Sequence, residues 1–164
     1  MQEQADRPDF SIRPMDADDA DRVIAMIAAL SAHEGAPPPP MDAASLVRWG
    51  LGPDARFAAL VAERRAKAVG YALFHESFHI GRARPGSVLM DLYVDRGHRR
   101  RGIARALLAA VARATRARDG DWVTWQAHPR NVEAIAFYEA IGARRYAAAD
   151  FELADAAMAR ITLS

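Results

Sequence analysis

A mixed α/β domain is predicted, and three stretches of the chain predict it. Residues 87–111, SVLMDLYVDRGHRRRGIARALLAAV, begin as a β-rich apolar run, cross a basic turn holding Gly97 and Gly102, and continue in an Ala/Leu pattern of helical period. That is a strand, a glycine loop and a helix. Residues 56–62 and 68–78 are strand-like on either side of the charged Glu63-Arg64-Arg65 turn, which predicts a hairpin. Residues 17–32 form the third stretch, a helix with Val23, Ile24, Ile27 and Leu30 as its buried stripe. With 164 residues, 51% of them hydrophobic, the chain is long enough for one good core and short for two. The expected organisation is a flexible tail over residues 1–9 and a single domain over residues 10–164.

Taken in order, residues 10–14 predict a short first strand, and Asp16, Asp18 and Asp19 supply a cap and dipole-favoured acids for the helix that follows. That helix ends at Ser31-Ala32-His33-Glu34-Gly35, and Pro37 to Pro40 then forbid a helix and stiffen a surface connection. Residues 42–50 predict a second short helix. Near the end of the hairpin stand His75, Glu76 and His79, whose spread invites a metal reading. Zinc needs three or four converging ligands, and no second cluster accompanies them, so solvated strand-end residues are the favoured reading. Residues 81–86 predict a basic loop. The helix over 100–118 ends at Asp119-Gly120, residues 122–127 are a short β-rich run, and residues 131–141 are helical up to Gly142 as a C-terminal cap. Residues 146–163 are expected to hold the last strands, and no internal repeat is visible.

The formal net charge is +1, so no global field favours nucleic acid or a membrane surface, and the basic character is local to residues 96–105. The absence of cysteine removes disulfides, thiolate nucleophiles and cysteine-ligated zinc together. Residues 1–9 are polar and acidic, unlike a signal peptide, and no apolar run approaches the length of a membrane span. A cytoplasmic location is expected.

The glycine loop puts backbone N–H groups and the positive end of a helix where a ligand can approach the main chain. Arg96, Arg99, Arg100, Arg101 and Arg105 add fixed charge with a geometry suited to phosphate. Glycine at a strand-to-helix turn and a solvated arginine run are also commonplace without any ligand. A P-loop would need Lys then Ser or Thr after the second glycine, where Ile103 and Ala104 stand, and the dinucleotide fingerprint lacks its three spaced small residues. What stands there is R-x-x-G-x-A, Arg99 through Gly102 to Ala104, directly after LYVD. A second pattern, Asn131-x-x-Ala134-x-x-Phe137-Tyr138-x-x-x-Gly142, puts Asn131 and Tyr138 on one face of a helix, since positions seven apart differ by only about 20° in azimuth. Together, in this order and separation, the two patterns resemble the acyl-CoA signature and the later helix motif of the GNAT acetyltransferases.

The resemblance implies a mostly antiparallel central sheet of about six to seven strands with a splayed central pair, flanked by about four helices. It implies acetyl-CoA as co-substrate, with the pantetheine arm along Leu92, Tyr93 and Val94. The pyrophosphate would lie on the loop Arg99, Arg100, Arg101, Gly102, Ile103, Ala104 and Arg105. Asn131 and Phe137 would complete the cofactor contacts, and Tyr138 would point at the thioester sulfur as acid. Within the family the chain is most similar to the diamine (spermidine/spermine) acetyltransferase branch, through LSAHE at 30–34, GYALF at 70–74, LMDLYV and FYEAIGA. That branch keeps a Glu, its proposed base, where this chain has Met90. Asp91 is the next carboxylate, which strand alternation points away from Met90's side unless a bulge intervenes. His33, Glu34, His75 and Glu76 are candidates for binding the acceptor.

The implied reaction transfers an acetyl group from acetyl-CoA to the primary amine of a small molecule, such as a polyamine or amino acid, by direct attack in a ternary complex. A primary amine of pKa near 10.4 is short of its neutral form at pH 7 by about 4.6 kcal/mol, so a base is required. A tyrosine of pKa about 10 is matched to protonating a leaving thiolate of about 8.5. Alternatives are an acetyl-CoA-binding sensor with weak catalysis and a transferase acting on protein or peptide amines. A homodimer with its last strands at the interface is expected by resemblance, with no metal, nucleic acid or membrane partner.

Overall fold

The computed structural model describes residues 8–148 together with 151, 152, 154, 155, 158 and 160. It divides into two compact units, Met1–His128 and Pro129–Ser164. The first holds a five-stranded sheet in the order β1-β2-β3-β4-β5, with β1 Ser11–Pro14, β2 Ala58–Arg64, β3 Lys67–His79, β4 Arg84–Val94 and β5 Val123–Thr124. The first four strands are antiparallel neighbours, and β5 joins β4 in parallel. Helices α1 Ala20–His33 and α2 Ala43–Gly50 cover one face and α3 Ile103–Arg116 the other. The second unit contributes α4 Val132–Ala140.

Local chemistry accounts for the element ends. The Asp16 carboxylate accepts from the Asp18 N–H at 3.0 Å, and Asp19 accepts from the Asp16 N–H at 3.0 Å, which closes the turn Ala17–Asp19 ahead of α1. Asp42 caps α2 by accepting from the Ser45 N–H at 2.8 Å. Between the two helices the four prolines run as exposed coil. On one sheet face Val23, Met26, Ile27 and Leu46 pack against Val61, Tyr71 and Leu73. On the other, Ile103, Leu107 and Val111 pack against Ala72, Phe74 and Leu89. The spacing of the buried α3 residues is the i, i+4 stripe of a helix lying on a sheet.

Several expected boundaries move. Five strands are described rather than six or seven. The hairpin turns at Arg65 and Ala66, both at positive φ, so Glu63 and Arg64 belong to β2. Residues 84–86 are strand rather than loop, because β3 continues to His79 and pairs with them as far as Arg84. Helix α3 begins at Ile103 rather than at residue 100, since Arg100 and Gly102 are left-handed and Arg99 is extended. The strands expected over 146–163 fall largely outside the described residues; residues 146–148 are coil and Asp155, Met158 and Arg160 are helical. Of the expected tail, residues 1–7 lie outside the described residues, while Asp9 is ion-paired with Arg64.

Candidate active site

Strand β4 is the spine of the site. Its edge toward β3 is paired from Gly70↔Val94 to His79↔Arg84. Among the described residues its other edge is in strand register at Ser87↔Val123 and Val88↔Thr124, with the Asp121 N–H also reaching the Pro85 carbonyl at 3.2 Å. Beyond Val88, residues 89–94 have no strand partner on that side among the described residues, so Leu92, Tyr93 and Val94 present a main-chain edge outside any ladder, with the Val94 carbonyl taken by Arg99. The place where the strands part is fixed by Trp122, which donates its indole N–H to the Arg84 carbonyl at 3.1 Å and covers Gly86. A Cβ on Gly86 would stand 2.2 Å from the Trp122 ring, so only glycine fits beneath it.

A β-bulge interrupts β4 at Met90. Leu73 lies opposite Asp91 and Phe74 opposite Leu89, which leaves Met90 as the extra residue, half exposed. Without the bulge, Leu89, Asp91 and Tyr93 would share one face. With it, Leu89 enters the α3-side core, while Asp91 and Tyr93 accompany Leu73 and Tyr71 on the α1/α2 face. The bulge that strand alternation alone could not provide is therefore present, and it decides where the carboxylate goes.

On that face Tyr71, fully buried, donates its hydroxyl to Asp91 Oδ2 at 3.1 Å, and its ring lies 6.1 Å from that of Tyr93. Burial pushes the Asp91 carboxyl up, the Tyr71 hydrogen bond pulls it down, and the negative charge of Glu34 pushes it up again, with a net rise. The Tyr71 hydroxyl is itself pushed well up, chiefly by burial and then by the Asp91 charge, so it remains a protonated donor. Glu34 is exposed at the C-terminal cap of α1, where its N–H reaches the Leu30 carbonyl at 3.1 Å. Asp91 and Glu34 are thus brought into electrostatic reach of one another. Tyr71 was not among the residues singled out from the sequence. Its only signal was an aromatic within GYALF, and the register against β4 was needed to set it beside Asp91.

The other acceptor candidates separate. His75 alternates onto the face of Leu73 and Tyr71, with Nδ1 2.9 Å from the Glu76 carbonyl oxygen. Glu76 lies on the α3 side, where it pairs with Arg118 at 2.9 Å. His33 is exposed in the last turn of α1. His79 meets Trp122 edge-on at 5.9 Å. Among the described residues no three His, Cys, Asp or Glu side chains converge as a metal site.

The basic loop is anchored at its start. Asp95 forms an ion pair with Arg22 of α1, its N–H reaches the Val69 carbonyl at 2.9 Å, and Arg22 Nε donates to the Ala68 carbonyl at 3.1 Å. Arg99 turns back to the strand, donating from Nε to the Val94 carbonyl at 3.0 Å with its guanidinium 5.7 Å from the Tyr93 ring centre. It holds the loop against β4. Gly102 then takes φ +80, a left-handed conformation, and starts α3 with no side-chain cap. The first helical hydrogen bond of α3 runs from the Ala106 N–H to the Gly102 carbonyl at 2.9 Å, so the N–H groups of Ile103, Ala104 and Arg105 precede it. No acidic side chain stands in that first turn, and Arg100, Arg101 and Arg105 are exposed around it. N–H groups without a side-chain cap, a helix N-terminus and exposed guanidinium groups fit a pyrophosphate.

In the second unit, Asn131 caps α4 by accepting from the Ala134 N–H at 3.1 Å. The helix ends as expected at Gly142, φ +88, whose N–H reaches the Glu139 carbonyl at 3.0 Å. Phe137 and Tyr138 are half-buried neighbours with ring centres 5.3 Å apart.

Comparison with known proteins agrees with this geometry. The chain is similar over 95% of its length and 99% of the other's to an integron cassette protein from the mobile metagenome of V. cholerae, with 17% identity and a TM-score of 0.77. It is similar to a ribosomal-protein-alanine N-acetyltransferase from Brucella melitensis biovar Abortus, with 20% identity, 89% and 99% coverage and a TM-score of 0.68. A third likeness is to an aminoglycoside acetyltransferase from an uncultured soil metagenomic sample, in complex with sisomicin, with 19% identity, 90% and 97% coverage and a TM-score of 0.73. At these identities the likenesses speak to the fold. The model of the acetyltransferase (GNAT) family matches residues 24–143, most of the chain, from within α1 to just past α4. With the sheet, the parted β4 and β5 and the glycine loop already in place, that match identifies the chain as a member of the acetyltransferase (GNAT) family, an acetyltransferase whose family uses acetyl-CoA as co-substrate.

Proposed function

We propose that this acetyltransferase acts on the primary amine of a small molecule, by direct attack in a ternary complex. The observation that carries the reading is the half-buried Asp91 carboxylate, held by Tyr71 and turned by the Met90 bulge onto the α1/α2 face of β4. Acetyl-CoA supplies the activated acyl group as a thioester. The edge of Leu92, Tyr93 and Val94 holds the pantetheine arm, the loop from Arg99 to Arg105 holds the pyrophosphate, and Asn131 and Phe137 add contacts to the cofactor. Asp91 takes the proton lost by the acceptor nitrogen as its N–C bond forms. Tyr138 gives a proton to the sulfur as the C–S bond breaks. A carboxyl raised by burial is a stronger base than an ordinary aspartate, and the negative charge of Glu34 within electrostatic reach of it favours a cationic acceptor. Family membership over residues 24–143 crosses from one unit into the other, which supports a single catalytic domain. A cytoplasmic homodimer completes the proposal.

The test is CoA release from acetyl-CoA over polyamines, aminoglycosides, lysine analogues, free amino acids and peptide N-termini. Turnover concentrated on small amines is expected. Turnover confined to peptide N-termini would assign a protein acceptor instead. Tight CoA binding without turnover would point to a sensor, the reading that Met90 in place of the branch's Glu favours.

A further inference from the structure

We infer that Tyr71 is a positioning residue for the acetyl transfer: its buried hydroxyl holds Asp91 Oδ2 and leaves Oδ1 to receive the proton of the acceptor amine. The inference rests on Asp91 being the base. Tyr71 is fully buried in the α1/α2-side core, where a phenylalanine would fill the same space without a polar atom to satisfy. Its hydroxyl lies 3.1 Å from Asp91 Oδ2, and among the described residues it is the one hydrogen-bond donor to that carboxylate. The contact exists because two independent features of the strands coincide. The register sets Tyr71 opposite Tyr93, one step from the Leu73↔Asp91 pair on the same face, and the bulge at Met90 turns Asp91 onto that face. A protonated phenol donating to the carboxylate favours its ionised form, which is the form a base needs. The titratable groups facing Asp91 are Tyr71 and, two pairs along, His75 from β3, Tyr93 from β4 itself and Glu34 from the end of α1. Burial and the Glu34 charge favour the protonated acid, so Tyr71 is the group that opposes them.

The test is Tyr71→Phe, followed through the pH profile of kcat/KM between about pH 5.5 and 9.5 with the best amine from the acceptor panel. Loss of a donor to a charged group moves the acid limb to higher pH, so the variant is expected to lose more activity on the acid limb than on the plateau near pH 9, by up to about tenfold at the foot of the limb. In the Asp91→Asn background the same substitution is expected to change kcat/KM by less than about twofold, since the two residues act through one bond. A Tyr71→Phe profile parallel to that of the unaltered chain, or an equal loss in both backgrounds, overturns the positioning role and leaves Asp91 as base. If Asp91→Asn alone keeps full activity with an unchanged profile, the base assignment falls, and the role of Tyr71 falls with it. Thermal unfolding of each variant gives the folded fraction by which the rates are normalised.

Discussion

Asp91 is a carboxylate on a sheet face otherwise filled by Tyr71, Leu73 and Tyr93, and its energetics at neutral pH run against the fold. Its folded pKa lies above the ordinary carboxylate value because burial outweighs the Tyr71 hydrogen bond. The folded state therefore holds its proton to higher pH than the unfolded chain, and stability from this group declines as pH rises from the ordinary carboxylate value through the raised one. Asp91→Asn removes that cost while keeping an acceptor for Tyr71. It is expected to leave the Tm at pH 7 unchanged or higher, while lowering kcat/KM by about 10²- to 10³-fold as a general base is lost; calorimetry and CoA release check the two halves. Tyr138→Phe is expected to lower kcat/KM by about 10- to 100-fold with the Kd for CoA nearly unchanged, and an unaltered kcat/KM would remove its role as acid.

Two glycines make the elements of the site possible, for different reasons. Gly102 stands at φ +80 with open space where a Cβ would be, so its requirement is conformational. Gly102→Ala is expected to cost about 1 kcal/mol and to weaken CoA binding at least about fivefold by disturbing the start of α3, whereas Gly97→Ala, at an ordinary φ and in open space, is expected to change neither; calorimetric titration with CoA distinguishes them. Gly86 is required for space, since Trp122 lies on it. Gly86→Ala is expected to destabilise the fold by about 1–3 kcal/mol in urea unfolding, because the ring that fixes where β4 and β5 part must move. Neither requirement was visible in the same way. The loop motif marked Gly102, while Gly86 lay in a stretch expected to be loop and is in fact paired strand beneath a tryptophan 36 positions later.

Across the first unit, Arg13 of β1 ties the turn just after its own strand to β2, fifty residues on. Its guanidinium reaches Asp19 at 2.6 Å ahead of α1 and Glu63 of β2 at 2.7 Å. Burial pushes Asp19 up, but the hydrogen bonds from Arg13 and from the Asp16 N–H together outweigh it, so its folded pKa is lowered. The stability it adds is fully present above the ordinary carboxylate value and is lost as pH falls through the lowered one. Asp19→Asn is expected to lower the unfolding free energy by about 1–2 kcal/mol at pH 7 and by progressively less as pH falls below the ordinary carboxylate value, measured by denaturant titration across that range. The order of helices and strands over residues 11–140, the glycine loop and the Gly142 stop of α4 were legible in the sequence, because periodicity, caps and left-handed glycines act over a few residues. Family membership was legible for the same reason, being written in two short motifs of fixed spacing. What only the tertiary structure decided is which way Asp91 points and what holds it. A β-bulge depends on the pairing of β4 with β3, and one inserted residue reverses the facing of every side chain beyond it, so no local pattern around Met90 could assign that carboxylate to its face or bring Tyr71, twenty positions earlier, against it.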